Sequence, residues 1–495
     1  MTHDDTKTAE PKNSEFEENI KLCDKVPVRL ILYFLSLSAM IVLFVMRSIM
    51  PITLLAMVKD QPHEGSNGFT IVCLKKGINS TSTRTDYGGT LEWSRDVQYY
   101  ILTSFFWSYI AAQVLGGATS QKFGTKVVVG YGFLIASICN ICIPFASSVH
   151  YALVIILQVV QGLAQGVTWP SLYGLISSWV PVYERSRFVT AFQGISVGTT
   201  IGQVMAGFVI SRFGWSYVFF IAGGISVLWC FVWYFFAYDT PELHPRISSH
   251  ELKYIQDNRG SVDKTNYDKI PWKSIITSIP IWAIAITSFG RMWLNLTIGL
   301  YGSLYLKTVI GLDVESNGLW SGLPSTACLL SSFLFSCISD KLLKHDYMSL
   351  IKSRKLFSGI SQIIPGILSI CFGYLNCNVP LILIVWCLLQ IVPTASYSGS
   401  MVNVLDLTPN FTGPAMGFIQ IFLMSPSILA TFVAKTIIQN ESTSEKWKTI
   451  FNIAGVVNII TCAIYFIFAS SKVQNWDKIK HANKEEIQNE EDKLV

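Results

Sequence analysis

The chain has 495 residues, of which 51% are hydrophobic and only 14% charged, and its mean hydropathy is +0.43. Those values exclude an ordinary soluble domain and place most of the chain in lipid. The net charge of +5 is small and segregated into loops, so it argues for no nucleic-acid partner. Most of the 11 cysteines fall inside apolar runs, where the thiol behaves as a small hydrophobe. No metal-ligand spacing, P-loop or dinucleotide fingerprint is present, so no cofactor is expected.

Residues 1–27 are polar and lack the short charged and apolar regions of a cleaved signal, so the first apolar helix is expected to insert and stay. A hydrocarbon core about 30 Å thick needs about 20 apolar residues per helix. Twelve runs meet that need: Val28–Met57, Tyr99–Ser120, Lys126–Ala146, Tyr151–Ser178, Phe188–Ile210, Trp215–Tyr238, Ile279–Leu306, Leu319–Cys337, Phe357–Tyr374, Leu381–Val404, Ala415–Ile438 and Ile450–Ala469. The highly charged stretch Asp239–Ser274 divides them six and six. The expected organisation is a tail over 1–27, a six-helix bundle over 28–238, a linker over 239–275, a second bundle over 276–470 and a tail over 471–495.

Lys122, Lys126, Arg185, Arg187, the linker, and Lys341, Lys344, Lys352, Arg354 and Lys355 all fall on one side of this arrangement. The positive-inside rule makes that side cytoplasmic and puts both termini on it. The opposite side then carries two glycosylation acceptors, Asn79 in the long first loop and Asn440 in the last. The sequons at Asn295 and Asn410 are expected to be silent, one lying in a span and the other on the cytoplasmic side.

Two turns repeat at equivalent places. The second span ends in Gly117-Ala-Thr-Ser-Gln121-Lys122-Phe-Gly124-Thr-Lys126, and the eighth in Ser336-Cys-Ile-Ser-Asp340-Lys341. They resemble the signature G-x-L-x-D-R-x-G-R-R of the major facilitator superfamily, with Gln121 where the acid is usual and Asp340 keeping it in the second half. Further stretches narrow the resemblance: Gln161-Gly-Leu-Ala-Gln-Gly166-Val-Thr-Trp-Pro170, Trp179-Val-Pro181-Val-Tyr-Glu184-Arg185-Ser186-Arg187, His244-Pro245-Arg-Ile-Ser248, Asn403-Val-Leu-Asp406-Leu-Thr-Pro409 and Gln474-Asn-Trp476. In order and spacing they are similar to the anion transporter family that contains sialin, the vesicular glutamate transporters and the sodium-dependent phosphate cotransporters.

Two arginines lie inside spans, Arg47 in the first and Arg291 in the seventh. Each costs about 2.5 to 3.5 kcal/mol on insertion scales, and the spans hold almost no Asp or Glu to offset them. An unpaired planar fork suits carboxylate or phosphate oxygens. Arg47 has the alternative of snorkelling to an interface. Arg291 shares a helical face with Thr287, Ser288 and Asn295, which makes a polar stripe. The resemblance implies substrate contact for both arginines.

In the fourth span Gln158, Gln161, Gln165 and Thr168 are spaced three, four and three, on one helical face. Such a row either glues helices together or lines a cavity. The family usually has arginine and glutamate at the positions of Gln158 and Gln165, and its vesicular members a histidine where Leu102 stands. These departures weaken proton coupling as the driving force. In the fifth span Gly194, Gly198, Gly202 and Ala206 recur every four residues, a pattern for close helix approach. Gly194-Ile-Ser196-Val-Gly198 also fits a hydrolase motif, but it lies within one continuous span rather than a strand-turn-helix.

The expected fold is therefore an all-α membrane protein with twelve transmembrane helices in two pseudo-symmetric six-helix bundles. The expected function is secondary transport of a small anion, inorganic phosphate or organic, by alternating access with sodium symport. The candidate substrate-binding residues are Arg47, Arg291, Gln158, Gln165 and Asn295. The alternatives are a proton-coupled or facilitative transporter and a non-transporting receptor of the same fold. A membrane enzyme would need an acid or histidine cluster at membrane depth, and the sequence has none there. The expected partners are the bilayer, the anion and a co-transported Na+ or H+. A monomer in the plasma membrane or a lysosomal or vesicular membrane completes the reading.

Overall fold

A computed structural model describes residues 27–59, 89–259, 270–302, 305–306, 310, 314–375, 378–438 and 444–477. The acceptors Asn79 and Asn440 lie outside the described residues. Six helices make the first set: α1 (Val28–Met57), α2 (Arg95–Phe123), α3 (Thr125–Val149), α4 (Tyr151–Trp179), α5 (Val182–Phe213) and α6 (Trp215–Phe236). The second set is α7 (Ile279–Leu296), α8 (Val314–Lys344), α9 (Leu350–Phe372), α10 (Val379–Leu407), α11 (Thr412–Ala434) and α12 (Glu445–Phe468). Among the described residues no strand forms; one isolated bridge joins Val58 to Leu91.

The helices run past the apolar stretches at their charged ends. Helix α8 continues to Lys344 and α9 begins at Leu350, seven residues before the apolar run. A count of apolar residues stops at the first charge, whereas a helix continues into the headgroup region as lysine and arginine stems reach for water. Two interruptions fall at prolines. Helix α4 breaks at Val167, three residues before Pro170, whose ring removes one N–H and crowds the carbonyl four residues back. Helix α10 passes through a tighter turn over Val392–Tyr397, which contains Pro393.

The two sets pack alike. Helix α1 lies on α5 and α6 as α7 lies on α11 and α12; α2 lies on α4 as α8 lies on α10; α3 lies on α6 as α9 lies on α12. The glycine stripe serves the first of these contacts. A Cβ at Gly194 or Gly198 would collide with the α1 backbone at Leu37 or Ile41, so only hydrogen lets the helices meet there. Tight turns join α2 to α3 and α5 to α6 through Gly124 and Gly214, at φ 85° and 93°, where a side chain would be strained. Between the halves, α2 and α4 pack on α11, and α5 packs on α8.

On the face that holds both described ends of the chain, the linker helix Ser249–Asn258 is docked rather than free. Glu251 accepts the N–H of Val28 at 3.0 Å and that of Arg29 at 3.2 Å, which caps α1. Gln474–Asp477, counted with the tail from sequence, also folds back onto this face, with the Gln474 N–H on the Leu407 carbonyl at 3.0 Å.

Candidate functional site

Arg291 sits on an α7 that is pinned from behind. Thr287, one turn earlier, exchanges hydrogen bonds with Gln362 of α9, and the Gln362 amide also donates to the Thr287 carbonyl at 3.0 Å. Gly290 lies so close to Thr461 of α12 that a Cβ would overlap it. Arg291 is only 7% exposed, and its Nε and Nη2 have no hydrogen-bond partner. No carboxylate pairs with it among the described residues. Its nearest ionisable neighbours are the neutral phenols of Tyr397, on α10, and Tyr173, on α4. The guanidinium therefore lies between the two halves of the molecule.

The fourth helix presents a wall of unused polar atoms. Gln158, Gln161, Gln165 and Thr168 are all buried, as the spacing on one face requires. Both amide atoms of Gln165, Oε1 of Gln161, Oγ1 of Thr168, Nε1 of Trp169 and the hydroxyl of Tyr173 lack a hydrogen-bond partner. Trp169 and Tyr173 follow Gln165 at four-residue steps, so the amide row continues into an aromatic one. Both rings stack on Phe192 of α5, with centroids 4.6 and 4.7 Å away. A buried donor without a partner costs about 1 to 3 kcal/mol. So many in one place beside an unpaired guanidinium fit a site completed by solvent or by an anionic ligand.

Arg47 is half-buried and has a different environment. Its guanidinium carbon lies 5.2 Å from the ring centroid of Phe44, 5.2 Å from Phe105, 4.9 Å from Phe106 and 4.8 Å from Tyr109. It does not snorkel to open water; it is held among rings from α1 and α2. Asn295, one turn beyond Arg291, is exposed and stands apart from the buried row. The structure thus brings Arg291 together with Tyr173, Tyr397 and the end of the α4 row. Tyr173 and Tyr397 do not stand out in the sequence, although the four-residue step from Gln165 through Trp169 leads to the first.

The face holding the chain ends is closed by contacts between the halves. Asp406 of α10 accepts from Arg354 Nε of α9 at 2.8 Å and from Arg185 Nη1 of α5 at 3.4 Å. Arg354 also donates to the Ser186 hydroxyl at 3.0 Å, and Arg187 pairs with Asp340 of α8 at 2.8 Å. Arg185, Arg354 and Asp406 are all buried. From sequence these basic residues read only as positive-inside markers; the structure makes them bridges between the halves. Gln121, at the place of the usual acid, donates instead to the Asn410 carbonyl of the other half at 3.3 Å.

The sequence profile of the Major Facilitator Superfamily matches residues 32–375. Human sialin is 28% identical over 90% of this chain and 90% of its own length. Bovine vesicular glutamate transporter 1 is 30% identical over 94% of this chain and 80% of its own. Mouse sodium-dependent phosphate transport protein 1 is 28% identical over 93% and 98%. Among solved structures, a proton:xylose symporter bound to a bromodeoxyglucose matches with a TM-score of 0.67 at 12% identity, covering 89% of this chain and 96% of that one.

Proposed function

This chain belongs to the major facilitator superfamily, in the branch of sialin and the phosphate and vesicular glutamate transporters, and from that premise we propose that it carries a small anion across the membrane by alternating access. One observation carries the reading: Arg291 is a buried, unpaired guanidinium lying between the halves, beside donors that lack partners. Removing a charge from water costs several kcal/mol unless a counter-charge completes the site. A carboxylate or phosphate group does so in the plane of the fork. The bundles 28–238 and 276–470 rock about this site, and the face with both chain ends is cytoplasmic, so the structure is closed to the cytoplasm. The drive is the sodium gradient or the substrate's own gradient, since Gln165 cannot titrate and Asp406 is engaged by two arginines. A receptor of the same fold would have no use for an uncompensated charge at this place. The polytopic chain resides in the plasma membrane or a lysosomal or vesicular membrane.

The test is uptake by purified protein in liposomes, with labelled inorganic phosphate, monocarboxylates and dicarboxylates, under sodium and pH gradients imposed separately. Saturable uptake of one of these that Arg291→Lys reduces at least tenfold is the expected result, because lysine keeps the charge and loses the fork. Equal uptake by Arg291→Lys and the wild type would remove the residue from anion recognition.

A further inference from the structure

Helices α2 and α11 carry a backbone-to-backbone contact between the halves. A Cβ at Gly117 would overlap the Gly413 carbonyl, and one at Gly417 the carbonyl of Gln113, so only hydrogen lets the helices meet there. Gly413, Gly417 and Gln420 follow at steps of four and three, which puts all three on the face of α11 turned to α2. Gln113 stands one turn before Gly117 on the matching face of α2. Toward the chain ends the seam makes polar ties, from Gln121 to the Asn410 carbonyl and from Ser177 of α4 to the Pro409 carbonyl. In the other direction Phe105, Tyr109, Leu423 and Met424 close it with an apolar cluster.

Between the glycine contacts and that cluster lie the two glutamines. Gln113 and Gln420 are each 0% exposed, and neither Oε1 nor Nε2 of either finds a hydrogen-bond partner in the protein. An amide shut away in this manner is a net loss to the state that buries it, and the loss disappears once water reaches the group. Leucine or methionine would fill the same space without that loss. Four unpaired amide atoms therefore weaken the seam in the one arrangement in which it is shut.

We propose that Gln113 and Gln420 are a built-in bias toward opening: they destabilise the α2–α11 seam while the face with the chain ends is closed, and are relieved when the halves part and water enters. This rests on the alternating-access reading above and is independent of which anion is carried. Arg185, Arg354 and Asp406 hold the same face shut. The two amides oppose them, which keeps the closed state shallow enough to leave.

The experiment compares the full chain carrying Ser177→Cys with the same protein carrying in addition Gln113→Met, Gln420→Met or both. Ser177 is buried where α4 meets the loop before α11, so a thiol there reacts with a maleimide only when the halves part. The alkylation rate at residue 177, read by mass spectrometry of its peptide, follows the open fraction and needs no substrate. Methionine matches glutamine in length and has no amide to satisfy. Each substitution is expected to slow alkylation about fivefold or more, and to raise the thermal midpoint of the purified protein. Unchanged or faster alkylation overturns the proposal. So does a lower thermal midpoint or a loss of folded protein, since either means that the amides are satisfied in the closed seam. Where alkylation is too slow to measure in every variant, the thermal midpoint decides: a rise supports the bias, and no rise overturns it. A wild type that carries none of the anions in liposomes defeats the anion-transport reading, whereas slower alkylation in the methionine variants upholds the bias whatever the substrate.

Discussion

The carboxylate of Asp477 accepts the backbone N–H of Phe411 at 3.1 Å and that of Asn410 at 3.2 Å, so a residue beyond the last helix anchors the turn that leads into α11. No side-chain hydrogen bond from the N-cap residue Phe411 caps the helix itself. The same loop touches the first half, where the Ser177 hydroxyl donates to the Pro409 carbonyl and Gln121 donates to the Asn410 carbonyl. Gln474, Trp476 and Asp477 are thereby tied to the closure between the halves, which gives the Gln474-Asn-Trp476 stretch a structural purpose.

Asp477→Ala leaves two N–H groups without their acceptor in a buried place. The expected cost is about 1 to 3 kcal/mol of stability, read as a lower thermal midpoint of the purified protein. Burial pushes the Asp477 carboxyl up to about 6, against the opposing hydrogen bonds from Phe411 and Asn410. The sign follows from linkage. A carboxyl that ionises near pH 4 when released and near 6 when docked binds more protons in the docked state, so docking strengthens as pH falls from 7 to 5. The thermal midpoint of the wild type relative to Asp477→Ala should rise over that interval, and a fall would contradict the assignment.

Asp406 holds two arginines, and its removal should be more damaging than that of either partner. Asp406→Asn leaves Arg185 and Arg354 buried without a counter-charge, and breaking such a cluster costs about 3 to 5 kcal/mol. The expected outcome is a steep loss of folded protein, or, where folding survives, a population opened on the face that carries the chain ends. Spin labels at the exposed residues Phe123 and Tyr347, one in each half, measure this as a longer distance. An unchanged distance distribution in well-folded Asp406→Asn would show that the cluster does not hold the halves together.

Much of this arrangement was legible in the sequence, for identifiable reasons. Apolar runs report burial in lipid directly, so the helices of both sets are legible, whereas the docked linker helix Ser249–Asn258 is not, and the glycine step from Gly194 to Gly198 signals a close helix approach without identifying α1 as its partner. Arg291 was visible because a lone charge in an apolar run is costly wherever it points. What remained hidden depends on tertiary partners far apart in the chain. Arg47 looks like Arg291 in a linear reading, and only the return of Phe105, Phe106 and Tyr109 beside it distinguishes the two. Likewise Arg185 and Arg354 follow the positive-inside pattern whether they face water or Asp406, and Asp477 looks like any acid in a polar tail.

Asn79 lies in the loop between the first two helices, on the side opposite the chain ends in the proposed topology, and is expected to carry a glycan in a eukaryotic host. Asn79→Gln should then migrate faster on a gel, by the same amount as the wild type after enzymatic removal of glycans. A wild-type band unmoved by that enzyme would argue against the proposed sidedness.

Gln165 supplies the sharpest test of how transport is driven. A proton relay needs a group whose pKa can be brought near the working pH, and the buried wall of α4 offers Gln158, Gln161 and Gln165, none of which titrates. Uptake by the wild type should therefore respond to a sodium gradient or to the substrate gradient, and only weakly to an imposed pH gradient once ionisation of the substrate itself is corrected for. Gln165→Glu places an acid among unpartnered donors of the same wall. Ionised, it competes with the anion for the positive potential of Arg291; protonated, it does not. The substitution should thus create a proton dependence that the wild type lacks, with uptake low at neutral pH and recovering as the side facing the site is acidified. Steep proton-driven uptake by the wild type in sodium-free buffer, unaltered by Asp406→Asn, would mean that a titrating group elsewhere in the chain couples transport to protons.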